Sequence, residues 1–256
     1  MEDNLVARKG ARSALSSFDI AMPIKTVFFD AAGTLMRPVR PVGESYALVA
    51  GNYGMSVPAA EVSARFRACF GNAPPLAFPA AENNGIRELE RGWWRALVAR
   101  VFEPYGRFER FDEYFTDLFA YFSRADSWRL FPETEETLAS LKRRGLKLAV
   151  ISNFDSRLFG ILEGLGVAAE FESILISSHA GYAKPAPEIF RLALERHHTR
   201  PAEALHVGDS VEKDAEGARG AGIQGVLLDR NAKLKAAGFP KIKNLSELLP
   251  LVENGR

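Results

Sequence analysis

The run VFFDAAGTL, Val27–Leu35, decides the fold. An unbroken apolar stretch stops at one aspartate, Asp30, and Ala31, Ala32 and Gly33 follow it with almost no side chain. A continuous apolar run, rather than an alternating one, predicts a strand covered on both faces, as in a parallel sheet. The small residues after it let other backbone and ligand atoms come close to the carboxylate.

Four further runs have the same character. With Lys25–Asp30 they predict five buried strands: Lys147–Ser152 (KLAVIS), Glu172–Ser177 (ESILIS), Ala204–Asp209 (ALHVGD) and Gln224–Asp229 (QGVLLD). Helical patterns at Asp155–Leu165, Pro187–Arg196 and Val211–Ala221 separate the last four, and Glu133–Arg144 precedes the second. Strand and helix alternate, so the expected fold class is α/β, a doubly wound parallel sheet. The rhythm breaks once. The 95 residues between Leu35 and Phe131 read as helices, at Gly43–Tyr53, Pro58–Phe70, Ile86–Phe102 and Phe111–Ser123, punctuated by Pro74–Pro75, Pro79 and the ENNG stretch at Glu82. The expected organisation is a core of residues 24–36 and 131–256, an all-helical insertion of 37–130, and a flexible tail of 1–23. NLSELLPLV predicts a short closing helix.

Composition narrows the function. A net charge of +1 gives no reason to expect nucleic acid or an anionic membrane as partner. No apolar run reaches the roughly 20 residues that span a bilayer. A lone cysteine, Cys69, cannot form an internal disulfide, which fits a reducing, cytoplasmic setting; it is expected to pack within the insertion. The insertion carries arginines but no lysine, read as a solvated face with local ion pairs. Adjacent Trp93 and Trp94 cannot share a helix face, so one is expected in the insertion's core and the other toward a site.

In an open α/β sheet, ligands collect beyond the carboxyl ends of the strands. The first strand ends at Asp30, the second at Ser152 and Asn153, the third runs out through SSHAGYAKP to Lys184, and the fourth leads into Asp209 and Asp214. Crowded carboxylates resist joint ionisation unless a cation lies among them. Oxygen ligands suit a hard divalent ion such as Mg2+. Lys184 adds positive charge, and Ser152 with the backbone N–H of Asn153 can donate to an anion. A phosphoryl group would meet complementary charge there, with Asp30 as its nucleophilic acceptor.

FFDAAGTL, VISNFDSRL, GYAKPAPEIF and HVGDSVEKDAEGA together resemble the four motifs of the haloacid dehalogenase superfamily of hydrolases, over about Lys25 to Asp229. DAAGTL, the Trp–Trp pair and ISNFDSRL resemble its domain-containing protein 3 subgroup most. The resemblance implies a helical cap where the insertion falls. It also implies Asp30 as nucleophile and metal ligand, and Lys184 as the residue screening charge on nucleophile and substrate. Ser152, Asn153, Gly33 and Thr34 would hold the phosphoryl group. Asp209, Asp214 and the backbone carbonyl of Ala32 would complete a Mg2+ site. A small phosphorylated substrate and a homodimer through the cap are the partner expectations.

Ala32 departs from the pattern, because phosphatases of the superfamily usually carry a proton-donating aspartate there. The expected activity is therefore weak or narrow. His179, five residues before Lys184, is the nearest titratable substitute, whereas His206 reads as a packed strand residue. Metal-free 2-haloacid dehalogenases also lack that aspartate, but the intact GDSVEKD argues against them. Phosphonoacetaldehyde hydrolases need a cap lysine, and none lies between Lys25 and Lys142. A binding protein that has lost turnover is the remaining alternative.

Overall fold

The computed structural model describes residues 23–79, 85–235 and 238–253. The expected tail, apart from Pro23, and most of the ENNG stretch lie outside the described residues. Strands β1 (Thr26–Phe29) and β2 (Met36–Pro38) lead into helices α1 (Val42–Gly51), α2 (Ala59–Gly71), α3 (Ile86–Phe102) and α4 (Phe111–Tyr121). The chain returns through β3 (Trp128–Leu130), α5 (Thr134–Arg143), β4 (Lys147–Ser152), α6 (Arg157–Gly164), β5 (Ser173–Ile176), α7 (Ser177–Ala180) and α8 (Pro187–His197). It closes with β6 (Ala204–Gly208), α9 (Gly217–Gly220), β7 (Gln224–Leu228), β8 (Lys241–Ile242) and α10 (Leu248–Glu253). Six strands form one parallel sheet in the order β5-β4-β1-β6-β7-β8.

The apolar strand runs are buried on both faces. Val27 and Phe29 of β1 join Val150, Val207, Leu138 and Leu158 on one side. Phe28, between them, joins Ile151, Ile189 and Phe190 on the other. Because β1 pairs with both β4 and β6, the strand order reverses beside it, and a crevice opens at the carboxyl ends there. Asp30 thus sits at the carboxyl end of an inner strand, at this crevice.

The helical insertion has its own aromatic core, in which Tyr46, Phe102, Tyr114 and Phe115 are buried, and Cys69 packs partly buried against it. Arg95 and Arg110 make exposed ion pairs with Asp112 and Glu113, as a solvated face requires. An antiparallel ribbon, not expected from sequence, joins insertion to core: Met36 faces Leu130 and Pro38 faces Trp128. A second join is polar. Glu90 of α3, 2% exposed, accepts hydrogen bonds at Oε1 from Ser156 N (3.0 Å), Ser156 Oγ (2.9 Å) and Ser178 Oγ (2.6 Å), all on the core. Among the described residues no helix is long and apolar enough to cross a membrane.

Candidate active site

Asp30, at the end of β1, is 8% exposed. Its Oδ1 accepts hydrogen bonds from Lys184 Nζ at 2.8 Å and from Ser152 Oγ at 3.3 Å. The Lys184 ammonium also donates to Asp214 Oδ1 at 2.6 Å. Asn153 holds the lysine's backbone from both sides, its Nδ2 donating to the carbonyl (2.8 Å) and its Oδ1 accepting from the N–H (2.7 Å). The side chain of Asn153 is thereby spent on positioning Lys184, which leaves its backbone N–H as the group for an anion.

One carboxylate oxygen each from Asp30, Asp209 and Asp214 lies within 4.8 Å of the others. At an effective dielectric of about 20, each such pair repels by roughly 3–4 kcal/mol. Three carboxylates and one ammonium leave two net negative charges, a deficit that a divalent cation would fill. Glycine makes the crowding possible. Gly33 has φ +98°, and a Cβ there would fall 2.3 Å from Asp209 Oδ2; one on Gly208 would fall 2.1 Å from Asp214 Cγ.

The three acids differ in what holds them. Asp214 takes Lys184 and His206 Nε2 (2.9 Å) on Oδ1 and the Ser210 N–H (2.9 Å) on Oδ2. Burial alone would raise its pKa, but the Lys184 charge and the His206 hydrogen bond outweigh burial and hold it below the usual carboxylate range. Lys184 is raised in turn, its two carboxylate neighbours overcoming its own desolvation. Asp209 has no ion-pair partner among the described residues, and burial followed by the charges of Asp30 and Asp214 pushes it up to about 7. Its side chain still opens to solvent through the crevice, so the repulsion is the part that an added cation would reverse.

A pH test follows. A carboxyl raised in the folded state binds its proton more tightly there than in the unfolded chain, so stability falls as pH rises from about 4 to about 7. In chelator, Asp209→Asn is expected to melt above the wild type. That difference should grow from near zero at pH 4 to a plateau above pH 7, and saturating Mg2+ should reverse its sign. A difference flat with pH in thermal denaturation would contradict this account.

Sequence and structure disagree at several positions. Thr34 is fully buried with its hydroxyl unpartnered and does not line the crevice, so its expected place among the phosphate-binding residues is set aside. Gly33 does line it. His179 does not: its Nε2 lies 2.8 Å from Ser156 Oγ, in a separate depression beside Leu192 and Arg196. The crevice of about 410 Å³ is lined by Asp30, Ala32, Ser152, Lys184, Asp209 and Asp214, and by Arg37 and Lys213. No imidazole and no further carboxyl is among the residues lining it.

Three contributors escaped the sequence reading. His206 is buried as expected, but it also clamps Asp214, at the same Oδ1 that Lys184 meets. The helix expected over Val211–Ala221 starts as a π-turn over Val211–Glu216, where Asp214 N and Ala215 N both donate to Ser210 O, at 3.1 and 3.2 Å. Trp94 does both tasks assigned to separate tryptophans: it packs on the insertion's core and lines the crevice, while its Nε1 donates to Asp155 Oδ2 at 2.5 Å. Trp93 lies edge-on against it and donates to Pro74 O. The nearest warning in the sequence was VISNFDSRL, whose Asp155 and Arg157 had no assigned task.

The family described as haloacid dehalogenase-like hydrolase matches residues 24–222. The chain is 36% identical over 242 residues to the human haloacid dehalogenase-like hydrolase domain-containing protein 3, covering 91% of this chain and 95% of that protein. It is 37% identical over 233 residues to a phosphoserine phosphatase from Thermus thermophilus, covering 82% and 90%. Among solved structures it superposes on L-2-haloacid dehalogenase from Xanthobacter autotrophicus with chloropropionic acid covalently bound, with a TM-score of 0.69 at 18% identity, over 90% of this chain and 98% of that one. At that identity the likeness concerns the fold, and a fold of this kind carries more than one chemistry.

Proposed function

The chain belongs to the haloacid dehalogenase-like hydrolases, and from that premise we propose that it is a magnesium-dependent phosphatase working through an aspartyl-phosphate on Asp30. The observation that carries this reading is the cluster at the sheet edge, where Asp30 is gripped by Lys184 beside two further carboxylates. The phosphoserine phosphatase relative supports a small phosphorylated substrate.

In this reading Asp30 attacks phosphorus as the bond to the leaving oxygen breaks, and water then cleaves the acyl phosphate. Lys184 fixes the Asp30 carboxylate and screens it from the incoming anion. Ser152 Oγ and the Asn153 N–H donate to the transferred oxygens. Asp30, Asp209 and the Ala32 carbonyl would hold Mg2+, with Asp214 supporting from a position where both of its oxygens already accept hydrogen bonds. When bound, the ion supplies positive charge against the phosphoryl oxygens. The donor set fits it, being all oxygen with two net negative charges to balance. The helical insertion acts as a cap that excludes water and supplies specificity.

Ala32 sets the limit of the activity. With no carboxylic acid at position 32, esters with poor leaving groups turn over slowly and those with stable leaving anions turn over well. The test is acid-quenched incubation with acetyl phosphate and Mg2+, followed by intact-mass measurement. A phosphoryl adduct that maps to Asp30 and fails to form in chelator is expected. An adduct on another residue, or turnover indifferent to chelator, would remove the proposal.

A further inference from the structure

The crevice above Asp30 continues into the helical insertion. Phe66, Trp94, Trp128 and Phe154 line both the crevice and a chamber of about 80 Å³ beyond it, closed by buried side chains that include Val98 and Leu118. The chamber is walled almost wholly by apolar and aromatic groups. Its one charged residue, Arg157, is already neutralised by Asp155, through hydrogen bonds of 2.8 and 2.6 Å, and its Cζ lies 4.2 Å from the Phe119 ring centre and 4.8 Å from that of Trp94. Beside Arg157 the chamber offers a polar group only the Tyr46 hydroxyl, whereas a flat ring would meet aromatic faces and edges on most sides.

The second observation is independent of the chamber. A leaving oxygen in this crevice finds no carboxylic proton donor at position 32, which favours one that departs as a stable anion. An alkoxide does not meet that condition and a phenol-type oxygen does. We infer that the substrate is a phosphate monoester of an apolar aromatic alcohol, its ring directed from the crevice toward the chamber. This inference rests on the phosphatase reading above. In the step, the bond from Asp30 to phosphorus forms as the phosphorus–aryloxygen bond breaks, and the electron pair leaves with the aryloxide, which takes its proton from water. A second water then splits the aspartyl-phosphate, releasing phosphate and one proton.

Four substrates separate the two features: phenyl phosphate (ring, stable anion), 2-phenylethyl phosphate (ring, alkoxide), acetyl phosphate (stable anion, no ring) and phosphoserine (neither). With Mg2+, kcat/KM for phenyl phosphate is expected to exceed that for phosphoserine by about a thousandfold or more, with 2-phenylethyl phosphate between them. Val98→Phe, which fills the chamber, is expected to lower kcat/KM for phenyl phosphate at least tenfold more than for acetyl phosphate. Reading that ratio on one preparation cancels any loss of folded protein, and the wild-type comparison needs no variant. Turnover of acetyl phosphate without preference for phenyl phosphate over phosphoserine, or an equal loss on both substrates in Val98→Phe, overturns this inference alone. No turnover of any of the four removes the phosphatase reading and this inference with it.

Discussion

Asp30→Asn is expected to abolish turnover of every phosphate ester and acyl phosphate, with kcat falling by a factor on the order of 10⁴ or more. The amide keeps the shape of the carboxylate, so Ser152 Oγ can still donate to its oxygen, and Lys184 keeps Asp214 as its counter-ion. What it lacks is the nucleophile. Removing one of three crowded carboxylates should also leave the metal-free protein at least as stable as the wild type, which separates this loss from unfolding. Phosphate release and a thermal melt on the same preparation check both halves. Equal rates in wild type and variant would place the protein among those that bind phosphate without turning it over.

The second large effect runs the other way. Ala32→Asp is expected to raise turnover of alkyl phosphates by about 10²–10⁴-fold while changing phenyl and acetyl phosphate little. Ala32 lines the crevice two residues beyond Asp30, so a longer side chain there reaches the space where the leaving oxygen departs. The new carboxyl would enter a site already rich in negative charge, which raises its pKa and keeps it protonated nearer neutral pH. The protonated form is the one that donates. Alkyl phosphate turnover in the variant should therefore fall on the alkaline side, where the wild type has no such limb. If alkyl turnover does not rise, the missing proton donor is not what restricts this enzyme.

The residues at the strand ends were legible because a buried parallel strand announces itself in a few apolar residues, and the doubly wound sheet says where its polar end will point. Asp30, Ser152, Lys184, Asp209 and Asp214 come together for that reason. What stayed hidden depends on contacts between distant parts of the chain. The ribbon of Met36–Pro38 and Trp128–Leu130 has three residues on each side, too few to show a period, and its partners are some ninety residues apart. His206 reads as one polar residue in an apolar strand until the π-turn carries Asp214 back against it. Thr34 was placed at the phosphate by its motif, whereas the turn after Gly33 carries it into the interior. His179 is near Lys184 in sequence only, because the short helix α7 ends in a left-handed Gly181 that takes the chain elsewhere before Lys184.

Glu90 gives the helical layer its temper. A swing of that layer about the Met36–Leu130 ribbon would strip a buried carboxylate of three donors at one stroke and expose it with Ser156 and Ser178 to solvent. If the layer works as the proposed cap, contacts that break together would favour two positions, shut or ajar, over anything between. For substrates whose chemistry is easy, the pace of the cycle should then be set by how often this clasp lets go.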